Sequence, residues 1–72
     1  MEIFKDTQFK GNYNGSERVF TIKQIFYSWD GAGKFCAVEY DLLQTGEQEP
    51  KRVTREKLIN WINDKILVRT WN

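Results

Sequence analysis

The stretch Phe20-Thr21-Ile22-Lys23-Gln24-Ile25-Phe26-Tyr27-Ser28-Trp29-Asp30-Gly31-Ala32-Gly33-Lys34-Phe35-Cys36-Ala37-Val38-Glu39-Tyr40 reads as two apolar strand patterns hinged on Asp30-Gly31-Ala32-Gly33. A turn that pairs Asp30 with Gly33 predicts Tyr27 opposite Cys36 and Ile25 opposite Val38 on one face. The other face then carries Ser28 opposite Phe35, Phe26 opposite Ala37, and Gln24 opposite Glu39. Because strand side chains alternate with period two, a slip of one residue would set Ile25 against Ala37 or Glu39 and lose this match. The hairpin makes the fold β-led.

Upstream, Asn14-Gly15 tolerates the positive φ angles of a type I′ turn. Pairing Tyr13 with Ser16 sets Phe9 opposite Phe20 and Thr7 opposite Ile22. The second strand, roughly Arg18 to Trp29, then changes parity: Phe20 and Ile22 share a face with Ile25, Tyr27 and Trp29 only if one residue is extra. A β-bulge near Lys23-Gln24 restores the match and bends the strand, so that it serves two pairings at once, as in small closed or half-closed barrels. The third strand spans Lys34 to Leu43, with Cys36, Val38, Tyr40 and Leu42 inward.

Downstream, Gln44 to Pro50 is polar, holds the single proline and reads as a loop. Lys51-Arg52-Val53 suits a short strand. Thr54 is placed to cap a helix, with Glu56 near the positive end of its dipole. Leu58, Trp61 and Ile62 recur at helical spacing, although Lys57 stands where Glu or Gln would complete a capping box. A short helix over about residues 54–64 is expected, followed by a closing strand from Ile66 to Trp71.

The result is a mainly β (α+β) chain forming one domain, residues 1–72: a small, strongly bent antiparallel sheet or half-barrel of four to five strands, with one short helix before the last strand. This order resembles an SH3-like barrel whose turn before the final strand has grown into a helix. The acidic loop and Trp-containing motif of peptide-binding SH3 domains have no counterpart here, so the likeness is one of architecture. In size and general character the chain also resembles products of phages and mobile elements.

Burial barely offsets chain entropy at 72 residues. Three Trp, three Tyr and five Phe are expected to fill the interior in place of disulfides. Cys36 is the only cysteine, which excludes an intramolecular bridge and fits a reducing compartment; its alternating apolar surroundings suggest a buried thiol. The opening Met1 to Asp6 mixes charges and suggests neither signal peptide nor membrane span, so a cytoplasmic location is expected and the Asn14-Gly15-Ser16 sequon is incidental.

The chain has no histidine, which removes the commonest general base and metal ligand at neutral pH. Cys36 has no histidine to activate it, and one cysteine cannot build a zinc site. Glu39 and Asp41 alternate on the outward side of the third strand, an arrangement that serves solubility more often than acid–base chemistry. Gly31 and Gly33 precede no helix and make no phosphate loop. The expectation is a chain that is not an enzyme, with no catalytic residue, metal or cofactor.

Two groupings remain as candidate partner-binding surfaces. The first is Phe26 and Phe35 with Ala37 alongside, either exposed for a partner or covered by the helix. The second is the basic run Lys51, Arg52, Arg55 and Lys57, either a solvated edge paired with Glu47, Glu49 and Glu56 or a contact for phosphate or an acidic protein. A net charge of +1 speaks against a surface that grips polyanions throughout. The leading reading is a small interaction module for a protein partner, using Phe26, Phe35, Lys51, Arg52 and Arg55. The alternative is a nucleic-acid-binding module that joins the basic run to aromatic stacking. The chain is expected to be a monomer or a weak homodimer joined through the C-terminal strand or the hairpin edge.

Overall fold

The computed structural model describes residues 3–70. Five antiparallel strands and one helix follow in order: β1 (Gln8–Tyr13), β2 (Ser16–Trp29), β3 (Phe35–Gln44), β4 (Lys51–Thr54), α1 (Arg55–Asn63) and β5 (Leu67–Thr70). The strands lie side by side as β4-β3-β2-β1-β5 in one bent sheet that does not close on itself. Trp71, assigned to the closing strand from the sequence, lies outside the described residues. Among the described residues no helix is long and apolar enough to cross a membrane.

The first hairpin follows its sequence signal. Asn14 (φ 52°) and Gly15 (φ 79°) supply the positive angles of a type I′ turn. Tyr13 pairs with Ser16 and Phe9 with Phe20. The ladder continues beyond β1, because the Ile22 N–H donates to the Thr7 carbonyl at 2.9 Å and the Asp6 N–H to the Ile22 carbonyl at 2.8 Å.

β2 is bulged where the parity argument places the extra residue. Ile22 pairs with Leu42 and Gln24 with Asp41, leaving Lys23 unmatched. The bulge keeps Ile22 and Ile25 on the same side and bends a strand of 14 residues.

The second hairpin departs from the expected register. The Asp30 carboxylate accepts the N–H groups of Ala32 (2.8 Å) and Lys34 (3.2 Å), and the Asp30 N–H donates to the Lys34 carbonyl at 3.0 Å. The loop therefore closes on Lys34, one residue beyond Gly33. Trp29 now faces Phe35, Ser28 faces Cys36 and Tyr27 faces Ala37. A second bulge leaves Val38 unmatched and sets Phe26 opposite Glu39 and Ile25 opposite Tyr40. The faces change accordingly: Tyr27 and Trp29 share a side with Phe35, while Phe26 points the other way. Tyr40 and Leu42 are buried as expected; Cys36 and Val38 are exposed instead.

The core lies on the concave side of the bend. Phe9, Ile22 and Leu58 have no exposed surface, and Ile3, Tyr40, Leu42, Val53 and Leu67 complete the buried set. Phe20, Ile25, Ala37, Ile59, Trp61 and Ile62 pack around it. Only Phe9 and Tyr40 in the buried set are aromatic, so aliphatic side chains fill most of an interior expected to be aromatic. The helix starts where Thr54 Oγ1 accepts the Lys57 N–H at 3.2 Å, and Leu58 drives its inner face into the core.

β5 approaches β1 closely at Gly11, where a Cβ would stand 2.8 Å from Leu67 Cδ2 and 3.2 Å from the Ile66 carbonyl oxygen. Gly11→Ala should therefore destabilise the fold by about 1–3 kcal/mol, the usual cost of overpacking, although alanine suits a strand better than glycine. Urea unfolding followed by circular dichroism reads the change; an unaltered midpoint would show that the contact relaxes freely.

Candidate interaction surface

β1 pairs with β2 only over Ser16 to Thr21, and β4 pairs with β3 only over Glu39 to Leu42. Beyond these limits, residues 27–29 of β2 and 35–37 of β3 have only each other as strand partners. They form a two-stranded arm, a structure that is marginal in water unless side chains reinforce it. The reinforcement is aromatic. The rings of Tyr27 and Phe35 stack with centroids 5.5 Å apart at 10°. Trp29 meets Phe35 edge-on, at 4.8 Å and 62°. Such pairs contribute roughly 0.5–1.5 kcal/mol each beyond the area they cover.

The same rings face solvent: Tyr27 is 52 % exposed, Phe35 58 % and Trp29 66 %. Since covering an aromatic side chain removes roughly 150–250 Å² from water, the three offer on the order of 300–400 Å². That equals the largest apolar patch on a typical monomer, which is often a binding site.

Phe35 is exposed, but on the side of the sheet that carries Tyr27 and Trp29 rather than on the outward face with Phe26. Phe26 is half-buried on the opposite side of the arm, with the Arg52 guanidinium carbon 3.9 Å from its ring centroid. Arg52 Nε also donates to Asp41 Oδ1 at 3.2 Å. Arg52 is therefore held between a ring and a carboxylate, and Asp41 pairs with it across the strands. Lys51 alternates to the concave side, at the rim of a cleft; Arg55 is exposed in the first turn of α1. The proposed basic run is split between faces. Lys57 leaves it too, lying 5.3 Å above the Trp61 ring.

Two depressions flank these features. A cleft of about 630 Å³ opens on the concave side, with Phe20, Leu42, Val53, Trp61 and Leu67 among its apolar walls. Arg18 and Lys51 share its lining with Glu47 and Glu49, so it presents no net sign to a charged ligand. A shallower hollow of about 500 Å³ lies at the root of the arm, between Ala37 and Val38 and the start of α1. Among the described residues, no three His, Cys, Asp or Glu side chains gather closely enough to hold a metal ion.

Comparison with known proteins finds no matching family model, curated protein or solved structure.

Sequence reasoning missed Tyr27 and Trp29 as surface residues, although a signal existed. With the first hairpin turning at Asn14-Gly15 and Thr7 facing Ile22, the β1 ladder ends at that point and β2 beyond Lys23 has no β1 residue beside it. Replacing Phe35 with Ser removes both ring pairs and should cost about 1–3 kcal/mol, at roughly 0.5–1.5 kcal/mol each, lowering the unfolding midpoint by several degrees. Phe26→Ser should cost more, because it removes a half-buried ring and strands Arg52 above the gap. Equal losses in thermal unfolding would show that the two rings are not differently placed.

Proposed function

We propose that this chain is a non-enzymatic protein-interaction module that docks its partner on the aromatic face of the β2–β3 arm. The observation that carries the reading is the set of three solvent-facing rings in which Phe35 stacks on Tyr27 and meets Trp29 edge-on. Interfaces concentrate their binding energy in aromatic anchors of this kind. Rings already ordered by one another lose little freedom when a partner covers them. The element order and the bent β2 shared by two ladders support an SH3-like half-barrel as the scaffold. An exposed, unbridged Cys36 supports a reducing, cytoplasmic setting.

The nucleic-acid reading draws less support. A single-strand surface needs cations beside its stacking platform, whereas Arg52 lies on the opposite side of the sheet and is taken up by Asp41 and Phe26.

Affinity capture from native extract, using the tagged chain and a Trp29→Ser, Phe35→Ser double variant of matching circular dichroism, tests the reading. A specific protein recovered with the parent should be lost with the variant. A prey retained equally by both would place the binding surface elsewhere.

A further inference from the structure

A closed barrel pairs its first and last strands, whereas here β4 and β5 remain the two edges of the sheet. Leu58 of α1 fills the middle of the opening between them. One end stays open as the cleft of about 630 Å³, which draws walls from both edges, Val53 of β4 and Leu67 of β5, and from Trp61 of α1. Small-molecule sites favour such barrel mouths, at volumes of roughly 300–1,000 Å³, with mostly apolar walls and a few polar groups that orient the ligand.

The charged residues in this lining sum to zero but stand at different depths. Phe9 and Phe20 pair on the core side of the sheet, so Gly11 and Arg18, two residues further along each strand, share that side. Arg18 is accordingly half-buried in the cleft, whereas Glu47, Glu49 and Lys51 are exposed at its lip. Water and salt screen the lip charges. A charge partly withdrawn from water acts several times more strongly than one in bulk solvent. The inner sign of the cleft is therefore positive, beside the apolar walls of Phe20, Leu42 and Trp61. A guanidinium offers five N–H donors in a planar fork that fits a carboxylate at two points, enough to serve a ligand as well as contacts within the protein.

We infer that this cleft binds a small amphipathic carboxylate, with its apolar body against Phe20, Leu42 and Trp61 and its head group on the Arg18 guanidinium. The site is separate from the proposed docking face, since Arg18 to Tyr27 is roughly 30 Å of strand at ~3.3 Å per residue.

Decanoate is the probe, and decylammonium its counterpart of equal chain length and opposite charge. Titrated into the isotope-labelled full chain, decanoate should shift the amide resonances of Arg18, Phe20 and Trp61 and leave those of Tyr27 and Phe35 in place. The dissociation constant should lie below about 1 mM. Decylammonium should bind at least ~10-fold more weakly, and Arg18→Gln should weaken decanoate by about the same factor, the effect of losing a charge-assisted hydrogen bond. Circular dichroism checks that the variant folds, and the two ligands on the parent chain decide the sign of the site even where it does not. No decanoate shift up to about 1 mM, shifts centred on the arm, equal binding of the two ligands, or a folded Arg18→Gln chain of unchanged affinity would each overturn the inference.

Discussion

One strand with two partners governs this molecule. β2 must pair with β1 from Ser16 to Thr21 and with β3 from Phe20 to Trp29. A straight strand would carry its apolar residues off the core side at Lys23, where the spacing from Ile22 to Ile25 is odd. The bulge absorbs that residue, returns Ile25 to the core side and bends the sheet. Everything concave follows from the bend: Phe9, Ile22 and Leu42 converge, and Leu58 of α1 closes over them. Without it, a small sheet would offer two flat faces with too little chain to cover either.

The same strand explains the arm. β1 and β4 are short, so the ladder that supports β2 and β3 on both sides ends well before Trp29 and Phe35. The core side of the sheet therefore continues past the core. Ile25 and Ala37 still pack against the buried set, whereas Tyr27, Trp29 and Phe35 stand beyond it. Nothing about these rings is unusual except their reach.

The two hairpins show how far sequence reasoning carries and where it stops. Asn14-Gly15 admits one tight closure, and the register of Phe9 with Phe20 follows from it. The bulge at Lys23 was legible for a related reason, since two well-matched apolar sets demanded one extra residue. Asp30-Gly31-Ala32-Gly33 is looser. Glycines at 31 (φ 85°) and 33 (φ 82°) permit several closures, and the Asp30 carboxylate selects the longer one by binding two backbone N–H groups. A single residue of loop length then turns Phe35, Cys36 and Ala37 to the faces opposite those expected, until the bulge at Val38 restores Tyr40 and Leu42. That shift separates Phe35 from Phe26 and sets it beside Tyr27 and Trp29, which keep to the side of Ile25. The basic run was legible as charge but not as a surface, because strand alternation sends Lys51 and Arg52 to opposite sides and Asp41 claims Arg52.

The aromatic cluster steadies the arm, and in the proposed function that steadiness makes it a better docking surface. A two-stranded ribbon with solvent on both edges loses conformational freedom without enough burial to compensate. Cross-strand contact between Trp29 and Phe35, extended by Tyr27, supplies cohesion that the backbone ladder alone lacks. Rings fixed for that purpose are held in one arrangement while still facing water. Binding then requires little further ordering of side chains, which is the usual tax on contacts made by flexible surfaces. Removing the rings would loosen the arm as well as strip its contact surface, so shape and adhesiveness are coupled through the same side chains.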